Sequence, residues 1–264
     1  MKHVKILSVL GLMAVAGAAH AGVTSTVTAA TDYNLRGISQ NAKGPVLQGT
    51  LDYARDSGVY VGLFLSQVDF ENNGAKQPAV GYADSTDYFH LERSVYAGYK
   101  TKLGDNLALD VGGKYYTYNA NSLNHGEVYS SLTYKSAVKA SVYYSPNFIN
   151  GNMNGNVPDE AKPLSKPAYG AALDGTVALP ANFSFLAHVG GNTGEYWRDY
   201  GKGSYVDYSA GFGYKMGKID WALQYVNTNT TMAKGNRVTQ VNSPNDKLNN
   251  ANRIILSAVT TFAW

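Results

Sequence analysis

Tyr205-Val206-Asp207-Tyr208-Ser209-Ala210-Gly211-Phe212-Gly213-Tyr214-Lys215-Met216 is the stretch that decides the fold. Val206, Tyr208, Ala210, Phe212, Tyr214 and Met216 are apolar or aromatic, and the residues between them are mostly polar or small. Side chains of a strand point to opposite faces in turn, so a period of two describes a strand with one apolar face. Gly217-Lys218 then forms a tight-turn pair, and the pattern resumes with Ile219, Trp221, Leu223 and Tyr225 on one face and Asp220, Ala222 and Gln224 on the other.

The same reading extends through the chain. It predicts about twelve strands, near 23–38, 45–54, 59–70, 87–100, 107–118, 126–135, 137–146, 168–179, 183–194, 204–216, 219–229 and 252–264. Most exceed the ~9–11 residues with which a tilted strand crosses a bilayer. The connectors alternate in length. Those at 55–58, 101–106, Ser136, 180–182 and 217–218 are short. Those near 71–86, 119–125, 147–167, 195–203 and 230–251 are mostly long and polar, whereas Asn41 to Gly44 is short on the long-loop side. Short turns at one end, long loops at the other and an even strand count are the pattern of outer-membrane barrels. The fold class expected is all-β: a transmembrane antiparallel up-and-down barrel of about twelve strands.

Composition narrows the alternatives. The chain has 264 residues, with 22 Lys+Arg against 19 Asp+Glu. That near balance, without a long basic run, argues against a nucleic-acid partner. With no Cys there is neither a disulfide framework nor a thiol nucleophile. Charged residues make up 16%, below the roughly 25% of soluble domains, and 44% of the chain is apolar, too much for disorder. A soluble β-sandwich would also alternate. It would carry more Leu and Ile in its core, and it would not collect aromatics at strand ends as Tyr53, Tyr99, Tyr134, Phe183, Tyr214, Trp221, Phe262 and Trp264 do.

Two segments read as addresses. Lys2 and Lys5 precede an uncharged run from Ile6 to Gly17, and Ala19-His20-Ala21 fits a small-x-small cleavage site. Residues 1–21 are therefore expected to be a Sec signal peptide cut between Ala21 and Gly22, leaving the barrel at 22–264. At the other end Ile254, Leu256, Ala258, Thr260, Phe262 and Trp264 share a face. Leu256, Phe262 and the terminal Trp264 resemble the signal by which the barrel assembly machinery receives its clients. The localisation expected is the bacterial outer membrane, with its lipid as a partner.

Thr31-Asp32-Tyr33-Asn34-Leu35-Arg36-Gly37-Ile38-Ser39-Gln40 resembles the opening of the TorF porin family, Ser-Asp-Tyr-x-x-Arg-Gly-x-Ser-Gln. Gln48-Gly49-x-Leu51-Asp52-Tyr53, Ser57 to Gly62, Ser66, Glu92-x-x-x-Tyr96-x-Gly98-Tyr99, Tyr115-Tyr116-x-Tyr118 and Glu127-Val128-Tyr129 extend the likeness to about Tyr134. Ser94, Thr50 and Phe64 depart from it, where the family has an acid, a second Gly and Trp. The resemblance implies an outer-membrane barrel of porin type.

With the apolar faces toward lipid, the pore side carries Asp32, Arg36, Asp52, Glu92, Lys100, Asp110, Lys114, Glu127, Lys135, Lys139, Asp174, His188, Asp207, Lys215 and Asp220. Opposed acids and bases either set a transverse field that selects a polar solute or fill a narrow barrel as an ion-pair lattice. Twelve strands lie between the barrels that side chains fill and the wide porins, so a narrow, partly obstructed pore is expected. Asp32 and Arg36 are ~13 Å apart along one strand at ~3.3 Å per residue, so each is expected to meet a neighbouring strand instead. Arg93 falls on the lipid side, where it is tolerable near a rim at about 0–1 kcal/mol.

The function expected is passive diffusion of small hydrophilic solutes or ions, with an unknown small polar solute. Two rivals remain. A structural or adhesive barrel would act through its loops, above all the Asn-rich 230–251 segment. An outer-membrane phospholipase would pair Ser with His. The only His after residue 21 are His90, His125 and His188, no Ser stands out beside His188, and Gly-x-Ser-x-Gly, His-Glu-x-x-His and phosphate-loop motifs are lacking, so no enzyme is expected. No cofactor is implied, and no ligand spacing marks a metal site among Asp32, Asp52 and Glu92.

Overall fold

The structure is a computed structural model that describes residues 21–41, 43–68, 90–118, 124–148, 166–200, 203–229 and 252–264. The expected signal segment lies outside these residues except for Ala21, as do most of the long connectors, the 230–251 loop among them.

The barrel wall consists of β1 (Gly22–Ala30), β4 (Val46–Ala54), β5 (Val59–Val68), β6 (His90–Lys102), β7 (Leu107–Thr117), β8 (His125–Tyr134), β9 (Val138–Phe148), β10 (Lys166–Ala178), β11 (Phe183–Thr193), β12 (Tyr205–Met216), β13 (Ile219–Thr228) and β14 (Arg253–Ala263). Two short strands, β2 (Asn34–Leu35) and β3 (Ile38–Ser39), pair only with each other. Among the described residues a short helix, α1 (Glu195–Tyr200), stands in what the sequence predicts as plain loop. The twelve wall strands form a closed antiparallel barrel. Its seam is β1 against β14, in register from Thr24 opposite Ala263 to Ala30 opposite Ser257.

One expected strand is wrong in extent. The alternation from Val23 to Ile38 reads as a single strand, but β1 stops at Ala30 and Asp32 to Arg36 leave the wall. Nine residues already span the wall beside β4, another nine-residue strand. The rest of the alternating run is the β2–β3 hairpin, which turns into the lumen. Consequently Asp32 to Arg36 do not pair with the last strand as a ladder; residues 24–30 do.

The burial pattern inverts that of a soluble protein. Leu47, Leu51, Leu63, Val128, Phe212 and Ile254 are exposed, Ile254 at 70%. Ser66, Glu92, Ser94, Ser145, Asp207 and Ser257 are buried. Large aliphatic side chains outside and carboxylates inside are stable only where lipid replaces bulk water around the wall. Arg93 is exposed on the outer face, three residues from the long-loop end of β6.

Aromatic residues mark both ends of this apolar band. Tyr53, Tyr99, Tyr134, Phe183, Tyr214, Phe262 and Trp264 are exposed toward the short-turn end, and Phe183 packs on Tyr214 with centroids 4.7 Å apart. A second girdle, unanticipated from the sequence, consists of exposed Tyr115, Tyr144, Tyr169, Tyr208 and Tyr225 toward the long-loop end. Tyr208 and Tyr214 lie ~20 Å apart along their tilted strand at ~3.3 Å per residue, with outward Ala210 and Phe212 between them, so the two girdles flank the apolar band.

Inside, tyrosine rings lie over glycines of the neighbouring strand. Tyr96 is opposite Gly62, Tyr60 opposite Gly98, Tyr129 opposite Gly112 and Tyr143 opposite Gly170. At Gly98 an added Cβ would strike both the Tyr60 ring and the Val111 carbonyl, and the carbonyl belongs to the wall and cannot swing away. Gly98→Val is therefore expected to destabilise the barrel by about 1–3 kcal/mol. The check is the temperature at which the folded band converts to the unfolded band in SDS gels. Gly191→Ala, where an added Cβ meets nothing within 4 Å, should leave that temperature unchanged.

Candidate functional site: the inward hairpin and the charged lumen

The hairpin is specified locally. Its tip, Arg36-Gly37, has φ of 52° and 79°, the two positive values of a type I′ turn. Gly37 suits this, because a Cβ there would strike Thr228 and Asp207. Arg36 does not, since a left-handed backbone costs a side-chain-bearing residue roughly 1–2 kcal/mol. The arms are tied by Ser39 Oγ donating to Asp32 Oδ1 at 2.5 Å and by Gln40 N donating to the Tyr33 carbonyl at 2.7 Å. Asn41 Nδ2 donates to the Pro45 carbonyl at 2.6 Å, returning the chain to the wall.

The wall grips the hairpin on both sides. Tyr33 and Leu35 pack with Val46, Val68, Tyr116 and Tyr118. Ile38 packs against Phe148, Ala168, Tyr196, Trp197 and Tyr205, a cluster to which α1 contributes two rings. From the last strand, Arg253 Nε pairs with Asp32 Oδ2 at 2.8 Å. Its guanidinium also donates to Asn34 Oδ1 at 2.6 Å and to the Gly37 carbonyl at 3.1 Å. Arg253 thus fastens the hairpin at the seam where the barrel closes. The same alternation that predicts the strand places Arg253 opposite Ile254, on the lumen side, so it was legible although absent from the expected pore residues.

Beneath the hairpin a polar chain crosses the lumen. Arg36 meets Glu127 Oε2 at 2.7 Å and lies 3.3 Å from the centroid of the Tyr143 ring. Tyr143 Oη donates to Asn192 Oδ1 at 2.7 Å, and Asn192 Nδ2 donates to Asp207 Oδ2 at 2.7 Å. His188 stands between two acids, with Nε2 at 2.8 Å from Asp207 Oδ1 and Nδ1 at 2.7 Å from Asp174 Oδ1. Both ring nitrogens face carboxylate oxygens, so His188 holds no serine hydroxyl. The hydroxyl across from it, on Ser209, faces Gln224 instead.

A second network lies beside the hairpin's first arm. Glu92 accepts from Tyr33 Oη at 3.1 Å and Ser94 Oγ at 3.0 Å, and Lys114 Nζ stands 3.5 Å away, over the rings of Phe64 and Tyr116. A third lies nearer the short-turn end. Asp110 accepts from Tyr60 at 2.7 Å, and Asp52 accepts from Tyr96 and from Thr50 at 2.8 Å. The three acids Asp32, Asp52 and Glu92 fall into separate networks. Among the described residues no group of His, Asp and Glu is arranged to hold a metal ion.

The remaining expected pore residues divide by depth. Lys100 lies opposite Asp110, and Lys139 opposite Asp174, on inward positions of the wall. Lys215 and Asp220 pair at 2.7 Å at the short-turn rim, where Lys215 is largely exposed. Lys135 is not on a strand. It sits in the turn after β8 with φ of 50°, exposed over the Tyr134 ring, because two residues suffice to reverse a tightly twisted hairpin. Asp32 and Arg36 reach the lumen on the hairpin rather than on the wall. Asp32 meets the neighbouring strand β14 as expected, whereas Arg36 reaches across the lumen to β8, because the hairpin carries it off the wall. Between hairpin and wall remains a cavity of about 110 Å³ bordered by Arg36, Asp110, Glu127, Lys139, Asp174 and Asp207.

Residues 14–259 match the family described as "Bacterial protein of unknown function (Gcw_chp)". The chain belongs to this family. No curated protein matches it. Among solved structures, the KdgM porin aligns over 90% of this chain and 99% of its own with a TM-score of 0.51 at 8% identity. The NanC porin aligns over 90% and 98% with a TM-score of 0.53 at 11% identity. At such identities these likenesses establish the shared closed-barrel fold.

Removing Arg253 strands a buried carboxylate. Arg253→Met is expected to cost about 3–5 kcal/mol through the unpaired Asp32. Asp32→Asn combined with Arg253→Met should recover part of that loss, since no charge is then left bare. Thermal unfolding of the two variants in the same detergent checks both statements.

Proposed function

We propose that the protein is an outer-membrane porin through which small hydrophilic solutes or ions diffuse passively. The observation that carries this reading is a closed barrel with an apolar exterior and a lumen whose charges surround a cavity next to an inward hairpin. Rings of charged side chains at a constriction are how pores sort solutes. The hairpin narrows the passage, so the reading includes a small conductance. The resemblance of Thr31 to Gln40 to the TorF porin family supports the same function, and this stretch is the hairpin itself.

Export and assembly belong to the proposal. The wall begins at Gly22, so cleavage of a Sec signal after Ala21 would remove nothing from it. Leu256, Phe262 and Trp264 face outward in one row of the closing strand, which suits a signal read by the barrel assembly machinery. We infer a channel rather than an enzyme, because the lumen groups engage one another in ion pairs and hydrogen bonds.

Refolded protein in planar bilayers should give discrete currents in KCl; a folded, inserted protein that passes no current removes the proposal. Arg36→Gln leaves Glu127 without its cation and is expected to shift the reversal potential in a KCl gradient toward cation preference. An unchanged reversal potential would contradict a role for this pair in selectivity.

A further inference from the structure

The pair at the centre of the lumen has an unusual division of labour. Glu127 and Tyr143 belong to the wall, on β8 and β9, while Arg36 is carried in by the hairpin. The wall half is rigid. Tyr143 is tied to Asn192, and the Glu127 side chain is 0% exposed. Together they present a buried carboxylate beside the face of an aromatic ring, a geometry suited to a planar guanidinium and less to a compact ammonium. Arg36 occupies that seat, but it uses only one carboxylate oxygen. Glu127 Oε1 is buried and has no hydrogen-bond donor among the described residues. Glu127 also borders the cavity of about 110 Å³, with Asp110, Asp174 and Asp207 on the same border, offset by Arg36, Lys139 and the His188 that stands between Asp174 and Asp207. Arg36 is held there by a left-handed backbone that disfavours any side chain, and such strain concentrates at functional positions.

We propose that the Glu127–Tyr143 seat is a guanidinium-recognition site of the channel. Arg36 is its resident occupant, and solutes bearing a guanidinium group compete for the site from the adjoining cavity. This deepens the porin reading and rests on it for the route by which solute arrives. Arg36 acts as an internal copy of the ligand's charged group. Four carboxylates border the cavity against Arg36, Lys139 and His188, a border that a displaced Arg36 leaves more acidic, and the second oxygen of Glu127, buried while Arg36 is seated, is left to a guanidinium that takes its place.

The test compares L-arginine with L-citrulline, which has a urea in place of the guanidinium, as blockers of the KCl current through wild-type protein in planar bilayers. A hydrogen bond to a charged group is worth ~1.5–3 kcal/mol, so arginine should half-block at a concentration about tenfold or more below citrulline's. Arg36→Ala, which vacates the seat, should lower arginine's half-blocking concentration further. Glu127→Gln should raise it to citrulline's. Equal block by the two amino acids, with the KCl current intact, overturns the seat and leaves the porin reading standing. If the wild-type protein carries no current, the porin reading fails on its own. Calorimetric titration of folded Arg36→Ala in detergent then decides the seat: arginine binding in excess of citrulline sustains it, and equal or absent binding overturns it. Because Glu127→Gln risks misfolding, the Arg36→Ala titration keeps the seat testable without that variant.

Discussion

A β-sheet surrounded by hydrocarbon is not permitted a free edge. Each unpaired N–H or C=O there costs several kcal/mol, so the first and last strands must find each other. In this protein that requirement is met by the β1–β14 seam, and the rest of the interior is organised around it. The chain leaves β1 at Ala30, and Thr31 bonds at once to Leu256 of β14, with its N donating to the carbonyl at 3.0 Å and its Oγ1 accepting from the amide at 3.1 Å. Arg253, at the start of β14, then binds the hairpin that β1 leads into. Closure of the wall and placement of the hairpin are thus one structural event.

A twelve-strand barrel has more interior than its own inward side chains fill, yet too little for a wide aqueous channel. The protein resolves this unevenly. Toward the long-loop end the hairpin, the aromatic clusters and α1 make a small conventional core, with Tyr33, Leu35 and Trp197 buried. Toward the short-turn end tyrosines fold flat over glycines and meet the carboxylates of Asp52 and Asp110. Between these regions runs the chain from Glu127 through Arg36 to Asp174. A buried polar group is tolerated only when its partners are also in place, so this chain makes the lumen specific as well as polar.

The wall was legible because lipid acts on it one residue at a time. Val206, Phe212 and Leu223 face outward whatever the rest of the chain does, and the turns at Gly217 and Lys135-Ser136 need only local backbone geometry. Arg93 was legible in the same way, an outward charge near a strand end. Lys135 was misassigned because a charge at a strand's last position can belong equally to the strand or to its turn. The long-loop aromatic girdle is harder to read because Tyr115 and Tyr144 stand beside Tyr116 and Tyr143, which point inward, so composition alone does not separate them.

The lumen divides along the same physical line. The sequence by itself determined the barrel, its strand count, its apolar exterior and most of the charges that face inward, because a period of two against a uniform solvent carries that information directly. Only the tertiary structure decided where the alternating run after Ala30 goes. A hairpin turned into the lumen and a longer wall strand have the same periodicity; they differ in their partners, and those partners, Glu127, Tyr143 and Arg253, lie about 90 to more than 200 residues away. Contacts over such separations depend on the curvature and register of the closed sheet, which no local pattern encodes.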